Sequence, residues 1–305
     1  MLGFALPVPA ALQREAHEVE WTGAGFRAGN LRLPILEYSE NFAGWSDELT
    51  HLHEHAAGSS HPIDLASRRD ACAQVGRFVD APRPVILEIG CSSGFLLQDL
   101  NRQFPSARLL GADVVKAPLL ALAQRMPHMP LLRFDLLKSP IPDHALDGVV
   151  MLNVLEHIED DGAALGEVFR MLKPGGHVVL EVPAGSGLYD GYDKALLHFR
   201  RYDMADLVAR LKAAGLEPVR TTHLGFLVYP AFALVKRWNR RKPANPHTDA
   251  QDRTALVSRQ AQQTSRSGLL GLALKLEDWL RARMSLPFGI RCLVVARKPF
   301  AAARP

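Results

Sequence analysis

Ile86-Leu87-Glu88-Ile89-Gly90-Cys91-Ser92-Ser93-Gly94 is the stretch on which the fold turns. Residues 85–89 are a run of strand formers, 90–94 a glycine-bounded turn, and 95–104 space their apolar side chains as a helix does. The pattern repeats outward from there. Residues 108–114 read as a second strand and 118–126 as its helix; 131–134 are a third strand, 147–152 a fourth, and 155–172 the helix behind it. Lys173-Pro174-Gly175-Gly176 stops that helix, because proline disfavours helix in the residue before it and glycine accepts turn angles, and 177–182 follow as a fifth strand. Residues 203–214 form an amphipathic helix ended by Gly215, 216–223 a sixth strand and 290–296 the last. Strands alternating with helices imply right-handed crossovers and a doubly wound α/β sheet.

The loops at the carboxyl ends of such strands meet at one cleft. Gly90 and Gly94 let a ligand approach the backbone, Asp113 at the end of the second strand can accept two hydrogen bonds from a ribose diol, and Asp135 ends the third strand where an adenine would lie. A dinucleotide site would show GxGxxG, with its second glycine making room for pyrophosphate; Ser92 stands there instead and the third glycine is absent. A phosphate-free nucleoside fits better. Glu88 adds negative charge suited to an ammonium group, and S-adenosylmethionine carries an adenosine, a ribose diol, an ammonium and no phosphate.

With these residues the sequence resembles the class I S-adenosylmethionine-dependent methyltransferases, especially the broad bacterial type 11 and type 23 groups. The resemblance runs from about residue 84 to 225 and rests on residues 86–94, Gly111-Ala112-Asp113, Phe134-Asp135-Leu136, Asn153-Val154-Leu155-Glu156-His157 and Leu172-Lys173-Pro174-Gly175-Gly176. It implies a Rossmann-like, seven-stranded mixed sheet with helices on both faces. It also implies that Glu88, Gly90 and Gly94 cradle the methionine moiety, that Asp113 holds the ribose, that Asp135 and Leu136 meet the adenine, and that Asn153 lies beneath the sulfonium. His157, in the LEH segment, and His198 are candidate bases for an acceptor proton. His198-Phe199-Arg200-Arg201-Tyr202 resembles the HxRRY segment of a methyltransferase subset, where Arg200, Arg201 and Tyr202 would bind an anionic group of the substrate or else pair with acids of the fold.

Two other readings of the turn remain. Residues 90–94 also satisfy G-x-S-x-G, the nucleophile elbow of serine hydrolases, but that elbow follows several sheet strands and here the strand series begins with it. A methyltransferase-like protein that binds the cofactor without transferring methyl is the other. Asp160-Asp161 reads as a solvated turn. His51, His53, His55 and His61 do not form a convincing ligand set, and no metal is expected. Tyr38, Phe42 and Trp45 either cover the cleft or pack the amino-terminal segment.

The chain has 305 residues, 48% hydrophobic and 22% charged, which excludes collagen, coiled coil and wholesale disorder. Cys72, Cys91 and Cys292 are odd in number and far apart, so a disulfide framework is not expected. Residues 1–11 lack the features of a secretory leader, and the longest apolar run, 224–235, contains Pro230 and falls short of the roughly 20 residues needed to span a bilayer. A cytoplasmic protein is expected. From residue 231 onward there are 15 Lys and Arg against 4 Asp and Glu, so the net +4 divides into about −7 for 1–230 and +11 beyond. A basic, partly apolar tail on an acidic body suits an anionic membrane surface better than nucleic acid. The expected organisation is a helical cap over 1–80, the methyltransferase core over 81–225, an insertion over 226–288 with a polar linker at 243–267, and the last strand and tail over 289–305.

Overall fold

The chain enters through strands. In the structure, a computed structural model that describes residues 2–39, 61–240 and 268–300, Val19–Trp21 (β1), Phe26–Ala28 (β2) and Leu31–Leu33 (β3) pair antiparallel, and Leu36–Glu37 (β4) joins the main sheet. This corrects the helical cap expected over 1–80, where Pro62–Phe78 (α1) is the α-helix described. Strands of two or three residues are too short to show an alternating pattern, so sequence periodicity misses them. The expected linker at 243–267, the histidines at 51, 53 and 55, and Phe42 and Trp45 lie outside the described residues.

The main sheet has eight strands. Val85–Ile89 (β5), Arg108–Asp113 (β6), Leu131–Arg133 (β7), Leu146–Leu152 (β8), Leu172–Pro183 (β9), Glu217–Leu224 (β10) and Arg291–Arg297 (β11) stand in the order β10-β11-β9-β8-β5-β6-β7-β4. Strands from β4 to β9 are parallel, and β11 is antiparallel to both of its neighbours. These are the seven expected strands plus β4 at the edge. The 173–176 segment, expected as a turn, is strand: β9 starts at Leu172 and shifts register against β8 between Leu146 and Gly148.

Side-chain alternation divides the sheet's burial. Val85, Leu87, Ile89, Leu110 and Val149 enter one core, while Ile86, Leu109, Leu131, Val150 and Val179 enter the other. Phe95–Gln103 (α2) and Lys116–Arg125 (α3) pack into the second core, whereas Asp161–Met171 (α4) and Met204–Ala213 (α6) pack into the first. Both faces are covered, as a parallel sheet requires. A short helix, Gly191–Ala195 (α5), follows β9, and Tyr229–Arg240 (α7) and Gly268–Arg281 (α8) occupy the insertion.

The two insertion helices bury charge and expose apolar side chains. α7 turns Ala233 and Lys236 inward and leaves Leu234 69% and Trp238 64% exposed. α8 buries Leu274, Glu277 and Arg281 but exposes Leu272, Leu276 and Trp279. Glu277 accepts from the amides of Gly225 at 2.6 Å and Leu227 at 3.2 Å, and Arg281 reaches Asp70 of α1 at 2.6 Å. Buried ion pairs and hydrogen bonds from backbone amides thus hold α8 against the fold, together with Leu274, which packs on Ala66, Leu224 and Ile290.

Candidate active site

The strand ends of the parallel half converge on a cavity of about 580 Å³. Gly90, Ser92, Asp113, Asp135, Leu136, Asn153, His157, His198 and Arg201 all line it. At its turn, Gly90 has φ +77°, and a Cβ there would stand 2.4 Å from Val154 Cγ2, so both conformation and space call for glycine. Ser92 and Asn153 are also left-handed, at φ 44° and 54°. Asn153 is anchored there by its amide, which donates to the Glu181 carbonyl of β9 at 2.9 Å.

Asp113 is fixed by backbone. Its Oδ2 accepts from the Ser92 amide and its Oδ1 from the Val115 amide, each at 2.9 Å. A carboxylate oxygen accepts more than one bond, so these contacts orient Asp113 and still allow it to accept hydroxyl donors. Asp135 accepts from the Leu137 amide at 3.0 Å and sits beside Leu136 on the same wall.

Glu88 and Gly94 do not line this cavity. Glu88 lies on the Ile86 side of β5, where its carboxylate accepts from the Leu97 amide in the first turn of α2, while Oε2 has no hydrogen-bond partner. It caps a helix whose N-cap, Gly94, has no side chain to do so. Burial first, then repulsion from Asp113, pushes its carboxyl well above the usual range.

The HxRRY segment is divided by its hydrogen bonds. Arg201 is buried, donating to Asp193 at 2.8 Å and to the Ala184 carbonyl at 2.8 Å, and it lines the cavity. Arg200 and Tyr202 do not; both reach Asp161, at 2.7 and 2.9 Å. Of the two places expected for them, the structure has Arg200 and Tyr202 paired with an acid of the fold and not lining the cavity. This corrects the reading of Asp161 as solvated: the residue is buried and takes a third partner, Arg210, at 2.7 Å. Neighbouring Asp160 caps α4 through the Ala163 amide.

The two histidines meet because backbone joins their segments. The Phe199 amide donates to the Glu156 carbonyl at 2.8 Å, and the ring centroids of His157 and His198 lie 4.7 Å apart, edge to face. His198 Nδ1 is 3.1 Å from Asp193 Oδ1. Burial lowers the His198 pKa against the pull of Asp193, so the ring favours its neutral form. Asp193, although buried, is held well below the carboxylate range by His198, Arg201 and Lys236.

Several lining residues were not singled out from sequence. Glu156 is fully buried, neither of its carboxylate oxygens has a hydrogen-bond partner, and burial pushes its carboxyl up to about 8. Asp193, Lys236, Asp64 and Arg291 arrive from α5, α7, α1 and β11, with Lys236 Nζ 2.7 Å from Asp190 and 2.8 Å from Asp193 and Arg291 2.8 Å from Asp64. Among the described residues, the cations lining the cavity, Arg201, Lys236 and Arg291, are each held by carboxylates. The donor set therefore suits a cationic nucleoside without phosphate, as S-adenosylmethionine is.

Residues 87–180 match the family model described as a methyltransferase domain. The chain carries a methyltransferase domain over these residues. A Mycolicibacterium smegmatis relative named a probable S-adenosylmethionine-dependent methyltransferase is 32% identical over 137 residues, which are 43% of this chain and 51% of the relative. The demethylmenaquinone methyltransferase of Thermus thermophilus is 38% identical over 104 residues, 32% of this chain and 47% of the relative. The chain thus spans about half the length of these curated relatives. Among solved structures, the [4+2]-cyclase SpnF superposes with a TM-score of 0.56 at 20% identity, covering 84% of this chain and 94% of SpnF. Phosphoethanolamine N-methyltransferase 2 of Haemonchus contortus, solved with S-adenosylmethionine, gives 0.52 at 18% identity, covering 82% of this chain and 56% of that one. Both superpositions show the class I methyltransferase fold. The cofactor of this domain is S-adenosylmethionine.

Proposed function

We propose that the protein transfers a methyl group from S-adenosylmethionine to a small-molecule, glycan or lipid-linked acceptor. The observation that carries this reading is the single cavity in which Gly90, Asp113, Asp135 and Asn153 stand beside His157, His198 and Arg201. Bound there, the cofactor supplies an electrophilic methyl on a sulfonium. Asp113 and Asp135 orient the nucleoside, Asn153 shapes the floor beneath the reacting end, and the buried walls exclude water from the acceptor. His157 and His198 are where an acceptor's proton would be managed. Calorimetry with S-adenosylmethionine and its demethylated product tests the assignment: Asp113→Ala should weaken both by about 1.5–3 kcal/mol, the worth of charge-assisted bonds. Equal affinity of variant and wild type would remove Asp113 from the site. Because this fold also houses a protein named a cyclase, transfer of labelled methyl into an extract separates an enzyme from a protein that only binds the cofactor.

The acceptor is reached, on this proposal, at an anionic membrane surface. Outward Leu234, Val235 and Trp238 of α7 and Leu272, Leu276 and Trp279 of α8 support it, with Arg237, Arg240, Arg241 and Lys242 following in the sequence. Lys236, counted with those cations on sequence grounds, is 2% exposed and belongs to the cavity wall. No helix among the described residues is long and apolar enough to cross a membrane.

A further inference from the structure

Glu156 poses a problem that the methyl-transfer chemistry leaves open. A fully buried carboxylate with no hydrogen-bond partner is costly, and this one faces the cavity. The Leu155–His157 turn that carries it also carries His157, and the Phe199 amide bond brings His198 alongside. One carboxylate oxygen of Glu156 and one ring nitrogen from each histidine all lie within 4.8 Å of one another. Donors on one first-row cation stand about 3–4 Å apart, given ligand bonds of about 2.0–2.2 Å, so a side-chain shift of about 1 Å closes the set.

We propose that Glu156, His157 and His198 form a divalent-cation site on the acceptor side of the cleft, and that the acceptor atom is a hydroxyl oxygen bound to that cation. The donor chemistry selects the ion. Two imidazoles and one carboxylate suit zinc, cobalt or a similar first-row cation better than magnesium, which prefers oxygen ligands and keeps its water. Asp193 completes the arrangement from outside: its Oδ1 accepts a hydrogen bond from His198 Nδ1–H at 3.1 Å, fixing the tautomer that presents Nε2 as the ligand. Arg201 and Lys236 in turn hold Asp193, at 2.8 Å each.

Three protein ligands leave further coordination positions open. An acceptor hydroxyl occupying one loses its proton to water at the cleft mouth, because the cation stabilises the oxyanion. That oxygen's lone pair forms the new C–O bond to the methyl carbon as the C–S bond breaks, and its electrons return to sulfur. The products are a methyl ether, the neutral thioether of the cofactor and one released proton. This step rests on the methyltransferase reading above; the metal site itself does not.

The test uses the full chain, dialysed against chelator and titrated with Co²⁺, then with Zn²⁺ in competition. One Co²⁺ should bind with visible absorption bands of a mixed nitrogen and oxygen site, and Zn²⁺ should displace it. Glu156→Gln, which keeps the side-chain volume, and His198→Asn should each weaken Co²⁺ at least tenfold while S-adenosylmethionine affinity stays within about twofold. If His198→Asn does not fold, as read by its circular dichroism, Glu156→Gln decides. Acetohydroxamate, a small oxygen chelator, should shift the Co²⁺ spectrum if open positions face the cleft; an unchanged spectrum would overturn the acceptor assignment. No binding of Co²⁺ or Zn²⁺ below 1 mM, or equal binding by Glu156→Gln, would overturn the site and leave the histidines as candidate bases only. Loss of cofactor binding in the wild type with metal binding intact would instead strike the methyltransferase reading and spare the site.

Discussion

At the residue scale, the turn after β5 separates what sequence shows from what burial decides. Gly90 and Asp113 were readable because strand ends in a parallel sheet point into one cleft, so residue type and spacing locate them, whereas Asn153 is placed by the family resemblance. Glu88 was readable as an acid but not as a helix cap, since the face of β5 on which it lies depends on where α2 packs. Its titration makes that role testable. Glu88 has an ordinary value of 4.5 and is raised well above it in the fold, chiefly by burial. The folded state therefore holds this proton more tightly than the unfolded chain. Its contribution to stability is complete below pH 4.5 and is lost as pH rises through the folded value. Glu88→Gln keeps an oxygen for the Leu97 amide and has no charge to bury. Thermal unfolding without ligand should show the variant more stable by about 1–3 kcal/mol at pH 8, with no gain at pH 4. A gap independent of pH would mean that the fold leaves this carboxyl at its ordinary value. Ser92 offers a second test. Its backbone amide orients Asp113, and alanine keeps that amide, so Ser92→Ala should retain cofactor affinity within about 0.5 kcal/mol. Reaction of Ser92 with a fluorophosphonate probe would instead favour the hydrolase elbow.

At the element scale, the parallel strands and their helices were legible because each is long enough to show a period, and the amino-terminal strands were not because each has two or three residues. The insertion helices misled for a different reason. In α7 Lys236 counts by residue type with the basic tail, and the structure turns it inward beside Phe232 and Ala233. Lys236 is drawn in because Asp190 and Asp193 await it, and two buried carboxylates cost more than one exposed leucine. α7 is thereby pinned to α5 through charge. Lys236→Met keeps the length and apolar stem of the side chain but leaves Asp190 without its cation. It should destabilise the protein by roughly 3–5 kcal/mol in denaturant unfolding. A loss below about 1 kcal/mol would show that α7 is held by Phe232 and Ala233 packing alone. In α8 Glu277 and Arg281 likewise turn inward, so these two elements meet the body through polar contacts as well as through Leu274, Phe232 and Ala233.

At the scale of the whole molecule, an acidic body of about −7 carries a tail of about +11, and the outward faces of α7 and α8 are apolar. Charge and hydropathy together set the expected surface behaviour. The apolar side chains would lodge at the headgroup boundary, while cations near the surface each contribute about 1 kcal/mol on anionic lipid. Since Lys236 is committed to Asp190 and Asp193, the electrostatic share falls to Arg237, Arg240, Arg241 and Lys242. The two shares separate in a flotation assay with vesicles of phosphatidylserine and phosphatidylcholine. Wild type should float at low salt and largely release at 1 M salt, where the screening length is about 3 Å. Neutralising the four cations should abolish flotation at low salt without affecting the thermal midpoint, because Lys236 and its buried acids are untouched. Replacing Trp238 and Trp279 by serine should also reduce flotation at low salt, with the four cations still in place. Wild type remaining in the soluble fraction at low salt would remove the membrane from the proposal, and the exposed leucines and tryptophans would then have to be assigned to a protein partner.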